Sequence, residues 1–160
     1  MARTDNEVRS TLSVLDRLID QDPRTTNEAS LSRSASLRDL KQAVRRDLEW
    51  LLNTRCHLTA EEGELPEARR SVAFYGVPDF TGLGASSSVE QRRLTGLLAE
   101  AIRIFEPRFM NVKVSMKSPD VLDRQLRFRI EAHLDVDPVP EPITFDTVLQ
   151  FGGDFAVVEE

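Results

Sequence analysis

The sequence predicts an α+β fold: helices packed on one face of a small, mainly antiparallel sheet of three to four strands, with a helical N-terminal arm. Two segments before residue 107 repeat apolar residues every three or four positions, the period of a helix with one buried face. Three successive segments after residue 111 alternate apolar with polar residues, the period of a strand with one face in a core and one in water. The links between these alternating segments are short, which favours a meander whose apolar face the helices cover. A chain of 160 residues suits one domain with a modest core. The division falls after residue 36, with an arm and polar linker over 1–36 and a single α+β domain over 37–160.

The arm comes first. Leu12, Val14, Leu15, Leu18 and Ile19 give one short segment an apolar face at helical spacing. So short a helix needs something to bury that face. It either folds back on its own domain or docks on a partner, so Leu15 and Leu18 are candidate interface residues. Residues 21–36, QDPRTTNEASLSRSAS, read as a linker.

The strongest helix runs from Leu37 to Arg55, with Ser36 as its cap and Asp39 three residues on. Leu37, Leu40, Val44, Leu48 and Leu51 form its stripe, bordered by Lys41 and Leu52. Trp50 falls about 120° away from that stripe. An indole on a polar face either packs under a neighbouring segment or meets a partner, which makes Trp50 a further candidate.

Gly76 and Pro78 stop any helix begun over Ala68–Tyr75, and Phe74, Tyr75 and Val77 pin the turn to the core. Residues Thr81–Ser88, TGLGASSS, are expected to be flexible. Ser88 is expected to cap the next helix with Gln91 as reciprocal partner. Leu94, Leu97, Leu98, Ala101, Ile102 and Phe105 form its stripe, closed by Pro107.

Val112, Val114 and Met116 then begin the alternation. Leu126 to Val136 continue it as the clearest strand in the chain. DPVPEP, Asp137 to Pro142, is expected to be a rigid break before a third strand over Ile143–Phe151. A fourth short strand fits Phe155–Val158. The third strand carries a single charge, Asp146, and nothing that discourages pairing with another chain, so Phe145 and Leu149 join the interface candidates.

Charge narrows the function. With 27 acidic against 21 basic residues the chain carries a formal charge of −6. Such a surface gives phosphate backbones no reason to collect on it, which argues against general nucleic-acid binding. A lone cysteine, Cys56, fits a reducing cytoplasmic address, as does an opening without a signal-like apolar run. No stretch approaches the ~20 apolar residues that span a bilayer.

Enzymatic chemistry is poorly provided for. A glycosidase of the usual kind needs two facing carboxylates about 5–9.5 Å apart, one of them held protonated. Glu61/Glu62 and Asp135/Asp137 sit in polar loops or near strand ends. Glu106 has Arg108 two residues on, and an arginine favours the ionised carboxylate, opposite to what a general acid requires. Glu106 and Arg108 read better as a structural or interfacial ion pair. Cys56 and His57 are adjacent and point about 100° apart on a helix, with no further ligand at metal-site spacing. His133 lies on a polar strand face. Arg45-Arg46 and Arg69-Arg70-Arg92-Arg93 are solvated faces or docking charges for an acidic partner. No catalytic, cofactor-binding or metal-binding residue is assigned.

Taken in order, RRDLEWLLNTR (Arg45 to Arg55), SVAFYGVPD (Ser71 to Asp79) and FEPRF (Phe105 to Phe109) resemble the motifs of the type VI secretion baseplate subunit TssE. This is also the family of a wedge protein of contractile phage tails, often labelled lysozyme-like. TLSVLDRLID (Thr11 to Asp20) resembles its N-terminal segment, and the strands its C-terminal half. The resemblance implies a cytoplasmic structural protein that joins TssF and TssG, with TssK nearby. It also implies that the sheet templates the first layer of a sheath of TssB and TssC. A peptidoglycan hydrolase and an unrelated small adaptor are the competing readings.

Overall fold

The computed structural model describes residues 13–18, 33–58, 66–79, 87–117, 126–149 and 154–159. Within these, α1 (Val14–Leu18) precedes α2 (Arg33–Asn53) and the two-residue β1 (Arg55–Cys56). Then come α3 (Pro66–Arg69), a 3-10 turn over Val72–Phe74 and β2 (Val77–Pro78). The second long helix, α4 (Ser88–Phe105), leads into β3 (Phe109–Met116), β4 (Leu126–Leu134), β5 (Glu141–Leu149) and β6 (Phe155–Glu159). The last four strands form an antiparallel meander in the order β3-β4-β5-β6, as the short links predict. A separate parallel pair joins β1 to β2.

The α2 stripe is buried as its spacing predicts, from Leu40 through Val44 and Leu48 to Leu51 and Leu52. It faces Leu94, Leu98, Ala101 and Ile102 of α4 and the apolar side of the sheet, where Phe128, Ile130, Ile143, Phe145, Phe155 and Val157 complete one core. The opposite side of the sheet is polar, with Asp146 bridging Lys117 and Arg129 across three strands.

Several expectations need correction. Helix α2 begins at Arg33, so Ser36 lies within its first turn rather than at its cap. Adding residues to an existing helix is cheap, and a polar sequence outside the core stripe is no barrier to it. The cap of α4 is Ser87, whose hydroxyl accepts from the Val89 N–H at 3.2 Å, while the Gln91 N–H donates to the Ser87 carbonyl. Ser86, Ser87 and Ser88 offer the same capping chemistry, so composition alone does not choose among them. Cys56 belongs to β1, not to a helix end. The supposedly flexible Gly82 and Gly84 lie outside the described residues, as do Glu61, Glu62 and Phe151.

Gly76 sits at φ +117°, and an added Cβ would fall 2.5 Å from the Thr54 carbonyl oxygen. Only glycine lets the chain pass that close, and the same carbonyl accepts the Val77 N–H at 2.9 Å. Val77 is thereby driven into the core with no exposure, as the sequence predicts, while Phe74 and Tyr75 are only half-buried.

Strand β3 carries an irregularity between Met110 and Lys113, where Asn111 adopts φ +56°. The extra residue switches the face that points inward, so Phe109 and Val112 are both buried although an odd number of steps separates them.

The third alternating strand is not an edge. Strand β5 pairs with β4 along its whole length and with β6 over Phe145–Leu149. Phe145 is completely buried, whereas Leu149 is half-buried and packs partly against the core. The break before β5 is also shorter than expected, since Glu141 and Pro142 already belong to the strand. The Lys117 N–H donates to the Arg127 carbonyl, so odd-numbered β4 residues face β3 and even-numbered ones face β5. Pro142, opposite His133, therefore turns its backbone away from β4, where its missing N–H costs nothing.

Candidate functional site: an ion chain between the arm, the first long helix and the turn after the second

Helix α4 ends at Phe105, and Glu106 caps it by donating its N–H to the Ile102 carbonyl at 2.9 Å. The following turn closes when the Phe109 N–H reaches the Glu106 carbonyl and the Asp135 N–H reaches the Arg108 carbonyl. Pro107 cannot extend the helix, so the two charged side chains that flank it lie side by side. Arg108 donates from Nε to Glu106 Oε1 at 2.6 Å and from Nη2 to Glu106 Oε2 at 2.5 Å. Glu106 is only 4% exposed. The ion pair expected from the sequence is therefore present, and it is almost buried.

A third member comes from a distant part of the chain. Arg108 Nη2 also donates to Asp47 Oδ2 of α2 at 2.7 Å. Arg46 holds the other Asp47 oxygen, from Nε at 3.1 Å and Nη2 at 2.7 Å, and pairs through Nη1 with Asp16 of α1 at 2.8 Å. Ser13 completes the series by donating its hydroxyl to Asp16 at 2.6 Å. Charges alternate along Glu106, Arg108, Asp47, Arg46 and Asp16, which lets each ion lean on an opposite neighbour. Burial works against the charge on Arg108, but hydrogen bonds and attraction from Glu106 and Asp47 outweigh it and hold its pKa above the ordinary guanidinium value. Arg108 Nη1 is buried without a partner among the described residues, so the cluster is not fully satisfied.

A cavity of about 500 Å³ lies beside this chain, lined by Val14, Leu51, Tyr75, Phe105, Pro107 and Asp135 among others. Burial, followed by the charges of Asp47 and Glu106, raises the Tyr75 hydroxyl above its usual pKa. Tyr75 packs edge-on against Phe105, with ring centres 5.3 Å apart.

The arm meets its own domain through the ion chain while keeping apolar surface free. Val14 is 72%, Leu15 45% and Leu18 77% exposed. Trp50 is 53% exposed on the polar side of α2, one turn from Arg46, whose guanidinium lies 5.1 Å from the indole centre. Leu15, Leu18 and Trp50 are thus surface residues, whereas Glu106 and Arg108 are interior ones. Sequence reasoning found Glu106 and Arg108 because they are close in the chain. It missed Asp47, Arg46 and Asp16 as their partners, and only the position of Asp47 and Arg46 off the apolar stripe hinted at a polar role.

The Asp16–Arg46 contact makes a pH-dependent prediction. Burial raises the Asp16 pKa, but hydrogen bonds from Arg46 and Ser13 and the nearby positive charges pull it down further, to below 3.8. A carboxylate whose folded pKa is depressed contributes its stabilisation above the unfolded value and loses it as pH falls through the folded value. The arm contact is therefore at full strength at neutral pH and weakens only in acid below about 3.8, with a total worth under about 1 kcal/mol for a half-buried pair that solvent still screens. A carboxyl NMR titration checks this: the Asp16 midpoint should move up toward 3.8 in Arg46→Gln. An unchanged midpoint would remove Arg46 as the cause.

Catalytic arrangements do not emerge from the same geometry. Both oxygens of Glu106 accept hydrogen bonds from Arg108, and the side chain is buried away from any substrate. Asp135 and Asp137 are exposed at the end of β4. Cys56 is buried with its thiol 3.6 Å from the Leu58 carbonyl, and His57 and His133 are exposed. Among the described residues no group of three histidine, cysteine or acidic side chains could hold a metal ion. No helix among them is long and apolar enough to cross a membrane.

The family model described as baseplate wedge protein gp25 matches residues 38–139. The chain belongs to this family. The match runs from the start of the α2 core stripe to just past β4, so it contains Arg46, Asp47, Glu106 and Arg108 but neither Asp16 nor the strands β5 and β6. No curated protein matches the chain. As a gp25 wedge protein, the chain has the identity that its three ordered motifs resemble.

Proposed function

We propose that the protein is a structural wedge subunit of a type VI secretion baseplate, located in the cytoplasm, that joins the wedge complex and templates assembly of the contractile sheath. The observation that carries this reading is the pairing of a rigid ion-braced turn with a meander whose two outer strands, β3 and β6, have no further strand beside them among the described residues. Outer strands offer backbone donors and acceptors to an incoming segment, the mode by which sheets extend across subunits. TssB and TssC are the sheath partners in this reading. TssF and TssG are the wedge partners, with TssK nearby.

The wedge partners have a separate surface to meet. Leu15 and Leu18 of the arm and Trp50 of α2 expose apolar area that the domain does not cover. An apolar anchor of this kind suits burial in a partner groove. Co-expression with TssF and TssG followed by measurement of complex mass tests the assignment. A stable complex is expected from the natural chain, and a yield reduced by about tenfold from Leu15→Ala/Leu18→Ala, which removes two exposed apolar anchors. Full recovery with that double variant would exclude the arm as the docking helix. Absence of any complex with wedge or sheath proteins would favour an unrelated adaptor.

A further inference from the structure

Two basic pairs of the sequence, Arg69-Arg70 and Arg92-Arg93, lie far apart in the chain, but the fold brings one member of each to a single groove. The groove has a volume of about 690 Å³ and runs along the flank of α4. Leu97, Ala101 and Ile104 recur there at four and three residues, beside the stripe that α4 turns to the core. Ala101 is buried, but Leu97 and Ile104 are only half-buried, so the apolar surface of α4 extends past what the described residues cover. Phe74 and Pro78, around β2, form the opposite wall with Leu58, which is 50% exposed just after β1.

Charges stand at the lip. Arg69 of α3 donates from Nη2 to Glu100 Oε1 of α4 at 2.7 Å, which offsets both charges. Asp79, the other acid of the lining, already has a partner. Arg93, two turns before Glu100 on α4, is exposed and has no hydrogen-bond or ion-pair partner among the described residues. A free cation beside an apolar strip, on a chain with a formal charge of −6, is a local feature and not the average of the surface.

The length of the groove bears on what fits it. From Arg93 to Phe105 the flank of α4 rises about 18 Å, or three turns, at about 1.5 Å per residue. A trough of that length beside a helix suits a second amphipathic helix, whose apolar residues every three or four positions fill it. A small polar ligand has less to hold it. The buried polar atoms without a partner among the described residues belong to Arg108, Arg127 and Thr147, none of which lines this groove.

We infer that this groove is a second docking site for the wedge partners, and that its occupant is an amphipathic helix with an acidic residue set against Arg93. This rests on the wedge-subunit reading proposed above, but not on the arm, whose Val14 lines the other cavity. The apolar strip supplies the area that the helix covers, and the acid fixes its register and discriminates against basic helices.

Photo-crosslinking on the full chain, with p-benzoylphenylalanine in place of Leu97 and the chain assembled with TssF and TssG, tests this. The crosslink should fall on a helical segment of one partner that repeats apolar residues every three or four positions and carries an acid. The same label in place of Lys113, on the polar side of the sheet, should not reach that segment. Arg93→Glu should raise the dissociation constant of the complex about tenfold, because it sets two like charges together. Reversing the acid of the crosslinked segment to lysine should restore the affinity. Arg93 is exposed, so this second measurement stands even if the label at Leu97 disturbs packing. A complex that forms without a crosslink from Leu97, or with one only to residues 59–65 or 80–86 of the same chain or to a second copy, would overturn the inference and leave the wedge reading intact. Undiminished affinity of Arg93→Glu would do the same. Absence of any complex with the natural chain would overturn the wedge reading and the inference with it.

Discussion

Arg108→Ala is expected to destabilise the folded chain by about 3–5 kcal/mol, because it strands buried anions without their cation. Glu106 loses both of its hydrogen-bonded contacts to that cation, and Asp47 is left with Arg46 alone. With side-chain exposures of 13% for Arg108 and 5% for Glu106, solvent can do little to compensate. A loss of this size is a large share of the ~5–15 kcal/mol that holds a typical domain together. Urea unfolding followed by circular dichroism measures it. Arg108→Lys should recover only part of the loss, since an ammonium cannot grip the two Glu106 oxygens in a planar fork while also reaching Asp47. Because the pair is nearly buried, an assembly defect in Arg108→Ala would be secondary to the fold. A change below about 1 kcal/mol would show that the cluster relaxes toward water and braces nothing.

The ion pair was legible because its two residues are separated only by Pro107, and charge pairing within a turn is a local matter. Its extension to Asp47, Arg46 and Asp16 was not. Those residues are charged like many others, and nothing in a helical period says which exposed charge lies beside a turn sixty residues away. The core stripes of α2 and α4 were legible for the opposite reason, since a repeat of three and four residues by itself states which side is buried. Phe109 and Val112 mark where that logic fails among the strands. Simple alternation puts them on opposite faces, and only the irregularity at Asn111, which has no composition of its own, brings both inside. The edge status of each strand was equally hidden. A fourth strand over Phe155–Val158 was expected, but its place in the sheet depends on contacts with Asn53 and Leu149 that no local pattern encodes.

That misplaced edge leads to the second large effect. Phe145→Ala is expected to cost about 3–5 kcal/mol, the range for emptying a fully buried phenylalanine site. Phe145 has no exposed surface, lies 6.1 Å from Phe109 in ring centres, and has β4 on one side and β6 on the other. The cavity would open between α2, α4 and the centre of the sheet, where strand pairing on both sides prevents the backbone from closing in. Thermal and urea unfolding of the variant should both shift, with an unchanged urea m-value if the native fold is retained. Leu149→Ala, at a half-buried position near the end of β5, should cost clearly less. The contrast separates a core residue from an interface residue. An interface phenylalanine would be nearly silent in the isolated subunit and costly only in the complex, whereas Phe145 must be costly before any partner is present. Equal stability of Phe145→Ala and the natural chain would place that side chain outside the core, and with it the strand order from which the β6 edge is derived.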